Sequence, residues 1–234
     1  MANNCSNSPK ETIKIVDKIR EKIKIKEEDF VVWKVAKETN DPFKILIATL
    51  LSQNTTDKNA LKAFWRLEEE IGVEPEKLAF APVKKIGKAI KIAGLHRIKA
   101  EAIKELSQII LKEYQGDLWR LLKSENSREK LLSLPRVGNK TADVLLLMLT
   151  GRNVIPVDTH IRRIALRLGV SNQNSYTSIQ RGLMKFLKDE NMLELHLCLI
   201  ALGKTYCKPR KPKCNECPLA DICKYRRLIF SENH

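Results

Sequence analysis

The spacing of apolar residues along the chain is the feature that most restricts its fold. Apolar side chains recur every three or four residues through most of the 234 residues, as Val16, Ile19 and Ile23 do near the start. The alternation that a half-buried strand requires is hard to find. The pattern therefore predicts an all-α protein with about ten helices joined by short loops.

Ten segments carry this helical pattern. They are residues 11–24, 43–51, 58–71, 81–92, 99–114, 128–134, 140–149, 159–168, 175–187 and 191–203. Asp41 followed by Pro42 predicts a capped helix start, and Gly94 and Gly116 predict helix ends. A domain boundary is expected near residue 152.

The charge of the chain restricts its partners. Lys and Arg number 43 against 28 Asp and Glu, which gives a formal net charge of +15. Such an excess predicts a polyanionic partner, and nucleic acid fits best, although basic surfaces also serve solubility alone. We find neither a run of about 18 apolar residues nor a secretory signal, so we expect an intracellular protein without a membrane span.

Lys140 and Asp158 are the candidates for covalent chemistry. They stand eighteen residues apart, at the predicted starts of two successive helices, so both can face one cleft. A neutral lysine amine can form a Schiff base with a sugar aldehyde, and a carboxylate can stabilise positive charge on a sugar ring. The simpler alternatives are a surface lysine and a helix-capping aspartate, and capping is compatible with catalysis.

Residues 134–138 predict a hairpin between two helices. Pro135 ends the first helix and Gly138 allows a tight backbone before the second. Backbone N–H groups at the start of the second helix suit a DNA phosphate, while Leu134 and Val137 would anchor the turn in the core. The alternative is an ordinary helical turn without a ligand.

Four cysteines within seventeen residues predict a metal site. They are Cys207, Cys214, Cys217 and Cys223. Zinc and iron–sulfur clusters both accept four thiolates, so the spacing alone leaves the metal open. Cys5 lies in a polar tail and Cys198 on an apolar helix face, where it is expected to be part of the core.

The loop inside the cysteine cluster is strongly basic. Two prolines hold it extended, and its four cations are Lys208, Arg210, Lys211 and Lys213. This composition predicts phosphate contacts, and the alternative is a solvated charged loop.

Taken together, these features resemble endonuclease III, within the helix–hairpin–helix DNA glycosylase superfamily. The resemblance covers about residues 41–225. It rests on residues 42–52 with Thr56 and Asp57, Gly94-Leu95 with Lys99-Ala100, the hairpin with Lys140-Thr141-Ala142, Val157-Asp158-Thr159-His160, and the cysteine spacing.

The resemblance implies two helical domains that flank a DNA-binding cleft. Residues 42–152 would form a six-helix barrel that carries the helix–hairpin–helix. Residues 1–41 and 153–234 would form a second helical domain with a [4Fe–4S] cluster on the four cysteines. The implied activity is that of a monomeric, cytoplasmic or nucleoid-associated base excision repair enzyme, a bifunctional DNA glycosylase and AP lyase. It would remove oxidised pyrimidines from duplex DNA and also act at abasic sites, nicking the strand by β-elimination.

The resemblance also implies residue roles. Lys140 would be the nucleophile and Asp158 the catalytic carboxylate. Leu95 and His160 would lie at the DNA interface, and Gln53 or Asn54 would fill the gap left by an extruded base. With the hairpin and the basic loop, the expected DNA contacts are Gln53, Asn54, Leu95, Arg136, Val137, Gly138, His160, Lys208, Arg210, Lys211 and Lys213.

Two departures from the family pattern concern substrate choice. Arg136 stands where the family usually has glycine, so it either crowds the backbone or adds a phosphate contact. Gln53 and Asn54 replace the more common alanine and glutamine. The alternative functions are a uracil or mismatch glycosylase of the same superfamily, a non-catalytic binder of damaged DNA, and a redox iron–sulfur protein.

Overall fold

The computed structural model describes residues 14–26, 29–187 and 190–231, and this part of the chain contains α-helices and no β-strand. The all-α prediction is therefore confirmed. The helices are α1 (Ile15–Lys22), α2 (Val31–Thr39), α3 (Pro42–Ser52), α4 (Asp57–Glu70), α5 (Pro75–Phe80), α6 (Val83–Ala89), α7 (His96–Tyr114), α8 (Leu118–Leu122), α9 (Ser127–Ser133), α10 (Asn139–Thr150), α11 (Thr159–Leu168), α12 (Tyr176–Phe186), α13 (Met192–Thr205) and α14 (Lys224–Ser231).

Helix α3 lies at the centre of the protein, and its start has the predicted cap. The Asp41 side chain accepts hydrogen bonds from the backbone N–H groups of Phe43 at 2.8 Å and Lys44 at 3.1 Å, and Pro42 occupies the first turn. These bonds satisfy donors that a helix start leaves unpaired. Every residue from 45 to 51 is buried, so α3 is covered by neighbours on all sides.

One continuous apolar core connects the helices. It includes Ile19 of α1, Leu46 of α3 and Leu199 of α13. Helix α1 packs on α13, α2 packs on α3, and α10 contacts both α3 and α13. Helix α10 therefore joins the two parts of the chain that the sequence assigns to separate domains, and that division stays a prediction.

Residues 81–92 do not form one helix, contrary to the prediction. Pro82 is extended and forces the residue before it out of the helical region, so α6 begins only at Val83. A separate 3₁₀ turn follows at Lys91–Ala93 and ends at Gly94, whose φ is 67°. None of the helices in the described part of the chain is long and apolar enough to cross a membrane.

Candidate active site

Lys140 is the second residue of α10, and its side chain is half-buried. Burial lowers the pKa of its amine, while the negative charges of Asp158 and Asp57 act in the opposite direction. A lowered pKa increases the fraction of neutral amine near pH 7, and the neutral amine is the nucleophilic form. The predicted position at a helix start is confirmed.

Asp158 caps the N-terminus of α11, as the sequence predicts. Its Oδ1 accepts a hydrogen bond of 2.7 Å from the backbone N–H of Ile161, which fixes the carboxylate. Its charge acts on the pKa values of both Lys140 and His196. The carboxylate, the amine and the imidazole therefore share one electrostatic environment.

Sequence reasoning missed His196, which lies on the apolar helix α13 and is 7% exposed. The pKa of its imidazole is lowered to about 4, mainly by burial, while the charge of Asp158 raises the pKa and that of Lys140 lowers it. The Nδ1 atom has no hydrogen-bond partner among the described residues. His196 is thus a neutral group near pH 7, and a lone histidine between leucines gives no sequence signal for this position.

A buried carboxylate lies one helical turn after Lys140. Asp143 is fully buried and accepts hydrogen bonds from Arg128 Nε at 2.8 Å, Tyr176 Oη at 2.7 Å and Gln180 Nε2 at 2.7 Å. These donors compensate the negative charge, which otherwise costs several kcal/mol to bury. Sequence reasoning missed this network because its members come from three separate helices.

The same donors hold the segment that leads to Asp158. Tyr176 Oη accepts a 3.2 Å hydrogen bond from the backbone N–H of Val157, and Gln180 Nε2 donates a 2.9 Å bond to the carbonyl of Ile155. The start of α10 and the approach to Asp158 are therefore tied to one buried group.

The hairpin is anchored as predicted, with Leu134 and Val137 each 4% exposed. Because the Val137 side chain is buried, only its backbone can reach a ligand. Arg136 is exposed and adopts a φ of 61°, the left-handed conformation that favours glycine. A Cβ added to Gly138 would have no atom within 4 Å, so the backbone there is open to a close approach.

A pocket with an empty volume of about 390 Å³ lies beside the hairpin. Asn54, Leu95 and Arg136 line it, and all three are exposed. Leu95 is 52% exposed, and the large apolar side chains of Ile92 and Ile98, close to it in the sequence, are also exposed. Three predicted DNA contacts from distant parts of the sequence therefore come together at one surface.

His160 packs against α13 instead of projecting freely. A Cβ on Gly203 would lie only 2.6 Å from the Cβ of His160, so glycine is required for this contact. Arg163 Nη2 lies 3.1 Å from His160 Nδ1, and Arg163 Nε donates a 2.7 Å hydrogen bond to the carbonyl of Cys207. His160 is half-buried, and its neighbour Arg163 reaches the cysteine loop.

The four predicted metal ligands surround one pocket with an empty volume of about 280 Å³. They are Cys207, Cys214, Cys217 and Cys223. Within the described residues, no three His, Cys, Asp or Glu side chains are grouped tightly enough to hold a single metal ion. Four thiols around a shared pocket are the donor set of an iron–sulfur cluster. Arg167 Nη1 lies 3.3 Å from Cys207 Sγ and can stabilise a thiolate there.

The basic loop is held by its backbone and exposes its cations. Arg167 donates hydrogen bonds to the carbonyls of Lys208 at 2.8 Å and Pro209 at 3.2 Å. The exposed cations are Lys208, Arg210, Lys211 and Lys213. Their side chains are therefore available to a polyanion.

The remaining cysteines lie outside this site. Cys198 is fully buried on α13, which confirms the predicted place in the core, and burial raises the pKa of its thiol to about 11. Cys5 lies outside the described residues.

Comparison with known proteins places the chain in a family. Residues 47–189 match the HhH-GPD superfamily of base excision DNA repair proteins, and residues 207–223 match the iron–sulfur binding domain of endonuclease III. Endonuclease III of Sulfolobus acidocaldarius is 38% identical over 210 residues, which are 89% of this chain and 93% of that protein. Endonuclease III of Escherichia coli is 33% identical over 190 residues, which are 81% of this chain and 87% of that protein.

Solved structures agree with the sequence matches. The structure of a trapped endonuclease III–DNA covalent intermediate has a TM-score of 0.71 and 29% identity, and covers 92% of this chain and 98% of that one. A thermostable thymine-DNA glycosylase has a TM-score of 0.76 at 24% identity, covers 91% of this chain and 93% of that one, and supports the fold alone. The chain belongs to the endonuclease III family of the HhH-GPD superfamily of base excision DNA repair proteins, and residues 207–223 are its iron–sulfur binding domain.

Proposed function

We propose that this chain is a bifunctional DNA glycosylase and AP lyase in which Lys140 is the nucleophile and Asp158 the catalytic carboxylate. The observation that carries the proposal is the half-buried lysine at the start of α10, whose pKa is lowered by burial. It shares its electrostatic environment with a carboxylate fixed at the start of α11. A reactive amine beside a rigid anion is the arrangement that attack on a sugar requires.

The first chemical step is the release of the base. The enzyme extrudes the damaged nucleotide, since C1′ is inaccessible inside the base stack. The neutral amine of Lys140 forms a bond to C1′ while the bond from C1′ to the base breaks, and the base leaves with the electron pair. Asp158 stabilises the positive charge that develops on the sugar and accepts the proton that the attacking amine loses.

The second step is strand cutting. The sugar ring then opens: the C1′–O4′ bond breaks, O4′ takes the electron pair and the proton held by Asp158, and a Schiff base remains between Lys140 and C1′. Loss of a proton from C2′ then expels the 3′ phosphate oxygen, which breaks the strand by β-elimination. Water hydrolyses the Schiff base and restores the amine.

Duplex DNA is bound by three surfaces. At the hairpin, the backbone of Val137 and Gly138 approaches a phosphate at the start of α10, and exposed Arg136 adds a charge. At the pocket beside it, Asn54 and Leu95 enter the duplex. The other proposed contacts are Gln53 and His160 near the site and Lys208, Arg210, Lys211 and Lys213 in the basic loop. With a net charge of +15, binding should weaken steeply as salt rises.

The cysteine loop is assigned a structural role in this mechanism. Cys207, Cys214, Cys217 and Cys223 would hold the [4Fe–4S] cluster, which supplies a covalent cross-link between the ends of the basic loop. No step of the reaction passes through this site.

Oxidised pyrimidines and abasic sites are the proposed substrates, and the protein is proposed to work where chromosomal DNA is found. A panel of duplexes, each with one lesion, measures the lesion preference directly. Preferential release of uracil or mismatched thymine would replace the proposed substrate class with the alternative one.

Trapping with borohydride tests the chemistry. The protein is incubated with a labelled duplex that contains one abasic site, and borohydride reduces any Schiff base to a stable adduct. We expect an adduct with the wild-type protein and none with Lys140→Ala, which should still bind the duplex. Asp158→Asn should slow base release more than it weakens binding.

Lys130→Ala is the matched control, because Lys130 is exposed on α9 close to the hairpin. It should keep the adduct. Undiminished strand cutting by Lys140→Ala would refute the nucleophile assignment. Absence of an adduct with wild-type protein that binds DNA tightly would indicate a monofunctional glycosylase or a binder.

A further inference from the structure

The Lys99 ammonium group is buried at the junction of two backbone segments. Its Nζ donates hydrogen bonds to the carbonyls of Gln53 at 2.7 Å, Leu51 at 2.8 Å and Ala93 at 2.9 Å. The side chain is 7% exposed. An ammonium has three donors, so each of them has a partner here.

These carbonyls belong to the ends of two helical elements. Leu51 lies in the last turn of α3, Gln53 follows it, and Ala93 ends the 3₁₀ turn at Lys91–Ala93. Carbonyls at helix ends lack intrahelical partners, and a cation there is favourable. Burial lowers the pKa of Lys99 to about 8, so the group is still mostly protonated at pH 7 and keeps its three donors. One side chain therefore caps both elements.

The loops that follow these caps display residues in strained conformations. Asn54 has a φ of 54° and Leu95 a φ of 48°, and both are exposed. Residues other than glycine rarely adopt positive φ, and such conformations persist where the surroundings hold them. Both residues line the pocket of about 390 Å³ that Lys99 and Arg136 also line.

Gln53 extends the connection to the hairpin. Its carbonyl accepts from Lys99, and its Nε2 donates to the carbonyl of Arg136 at 3.2 Å and to Thr141 Oγ1 at 3.4 Å. Thr141 follows Lys140 in α10. The Gln53 side chain is thus engaged with the hairpin, and both Gln53 and the exposed Asn54 line the pocket.

We propose that Lys99 is a positioning residue that holds the loops of Asn54 and Leu95 in register with the hairpin, and thereby controls extrusion of the damaged base without acting in the chemistry at Lys140. The proposal rests on the proposed function. Because Lys99 binds both loops, the Asn54 loop and the Leu95 loop move as one unit, and Asn54 and Leu95 enter the duplex together.

Base release and abasic-site cutting should depend differently on this unit. A paired base must be unstacked before C1′ can react, whereas an abasic nucleotide has no base to extrude. Loosening the two loops should therefore slow the first reaction and spare the second. A purely structural role for Lys99 would affect both reactions alike.

Lys99→Met is the test, since methionine fills similar space without a donor. Under single-turnover conditions, we expect release of thymine glycol from a duplex to slow by roughly tenfold to a hundredfold. Strand cutting at an abasic site should stay within a small factor of wild type. A duplex with 2-aminopurine opposite or beside the lesion reports extrusion by its fluorescence, and that signal should fall in parallel with base release.

Lys104→Met is the matched control. Lys104 lies on the same helix α7, and its Nζ donates a 3.0 Å hydrogen bond to the carbonyl of Ala81, away from the pocket. It should leave both reactions unchanged. The double variant Lys99→Met/Leu95→Ala should be no slower in base release than the slower single variant, because both changes affect one unit.

The outcomes separate the two proposals. If wild-type protein forms no borohydride adduct, the proposed function fails. If the wild-type protein is active and Lys99→Met slows base release and abasic-site cutting equally, the proposed role of Lys99 is overturned. The same holds if Lys99→Met slows neither reaction. Should Lys99→Met fail to fold, Lys99→Arg replaces it, since a planar guanidinium keeps the charge but cannot reach the same three carbonyls. The same split between the reactions is expected.

Discussion

Burial of Lys140 and the two carboxylates near it act on the pKa of its amine in opposite directions. Burial lowers the pKa and is the largest effect, while Asp158 and Asp57 raise it. Schiff-base formation needs the neutral amine. The rate of abasic-site cutting should therefore rise with pH until the pH exceeds the pKa of Lys140. An unperturbed lysine has a pKa of about 10.4, so the lowered pKa of Lys140 shifts this rise in rate toward neutral pH.

Asp57→Asn should shift the pH at which the rate of abasic-site cutting rises to a lower value. The substitution removes a negative charge that raises the pKa of Lys140, so the pKa should fall. Asparagine keeps an oxygen for the 3.2 Å hydrogen bond from the backbone N–H of Val31. The measurement is the single-turnover rate of abasic-site cutting as a function of pH.

Asp117→Asn is the control for this profile. Asp117 caps α8 with a 2.8 Å hydrogen bond from the backbone N–H of Trp119, and it is not among the charges that act on Lys140. Its profile should match wild type. A profile of Asp57→Asn that stays in place, or moves to higher pH, would contradict this account of the amine.

Single residues differ in how well the sequence predicts them. Lys140 and Asp158 stand at helix starts within a recognisable order of motifs, so their positions could be predicted. The importance of Lys99 and His196 could not, because burial of a lysine among backbone carbonyls depends on packing between distant helices. The sequence shows Arg136 as a departure from the family pattern, but only the structure gives its φ of 61°.

Between elements, hydrogen bonds to the buried carboxylate of Asp143 connect helix α12 to helix α10. The Tyr176 hydroxyl makes two of the hydrogen bonds in this region. It donates to Asp143 at 2.7 Å and accepts from the backbone N–H of Val157 at 3.2 Å. Burial and the contact with Asp143 both raise the pKa of the tyrosine hydroxyl, so it remains protonated and keeps donating.

Tyr176→Phe should reduce the free energy of unfolding by about 1–3 kcal/mol, because it leaves a buried carboxylate and a backbone N–H without one partner each. It should also slow base release, since Val157 precedes Asp158. Denaturant unfolding of the cluster-containing protein measures the first effect, and single-turnover kinetics measures the second.

Tyr114→Phe is the control, because it removes a tyrosine hydroxyl at the end of α7, outside the Asp143 network. It should change the free energy of unfolding by less than about 0.5 kcal/mol. Equal losses in the two variants would show that the network has no special contribution.

Long helices were easier to predict than short ones. The sequence predicts α3, α7, α10, α11 and α13 because their apolar periodicity extends over several turns. It misses α2, α5, α8 and α14, which have only five to nine residues. Such helices are too short to be stable alone, and α2, α5 and α8 form because the core accepts their apolar side chains, as it does Leu121 of α8.

At the scale of the whole molecule, α11 connects the proposed catalytic site with the cysteine loop. Asp158 caps its start, Arg163 reaches the carbonyl of Cys207 at 2.7 Å, and Arg167 near its end contacts Cys207 Sγ at 3.3 Å. Arg167 also stacks on Tyr225, with 4.7 Å between the guanidinium carbon and the ring centre. The resemblance could predict the cluster, but these connections depend on side-chain geometry.

Arg167→Met should therefore weaken the cysteine loop while leaving the chemistry intact. It removes the donor to Cys207 Sγ and the bonds to the carbonyls of Lys208 and Pro209. Loss of such outer contacts typically costs about tenfold or more in metal affinity, so the visible absorbance of the cluster should decay faster under a chelator or oxidant. DNA affinity should fall because the basic loop is less fixed. Abasic-site cutting at saturating DNA should persist, since Lys140 and Asp158 keep their positions.

The control is Arg120→Met, which removes an exposed arginine on α8 and should leave the absorbance stable. Loss of cutting at saturating DNA in Arg167→Met, with the cluster still bound, would mean that α11 transmits the disturbance to Asp158. Unchanged cluster decay and unchanged DNA affinity would show that Arg167 does not hold the loop. The separation between affinity and chemistry is expected because α11 is fixed independently at its start, where Asp158 Oδ1 accepts from the N–H of Ile161.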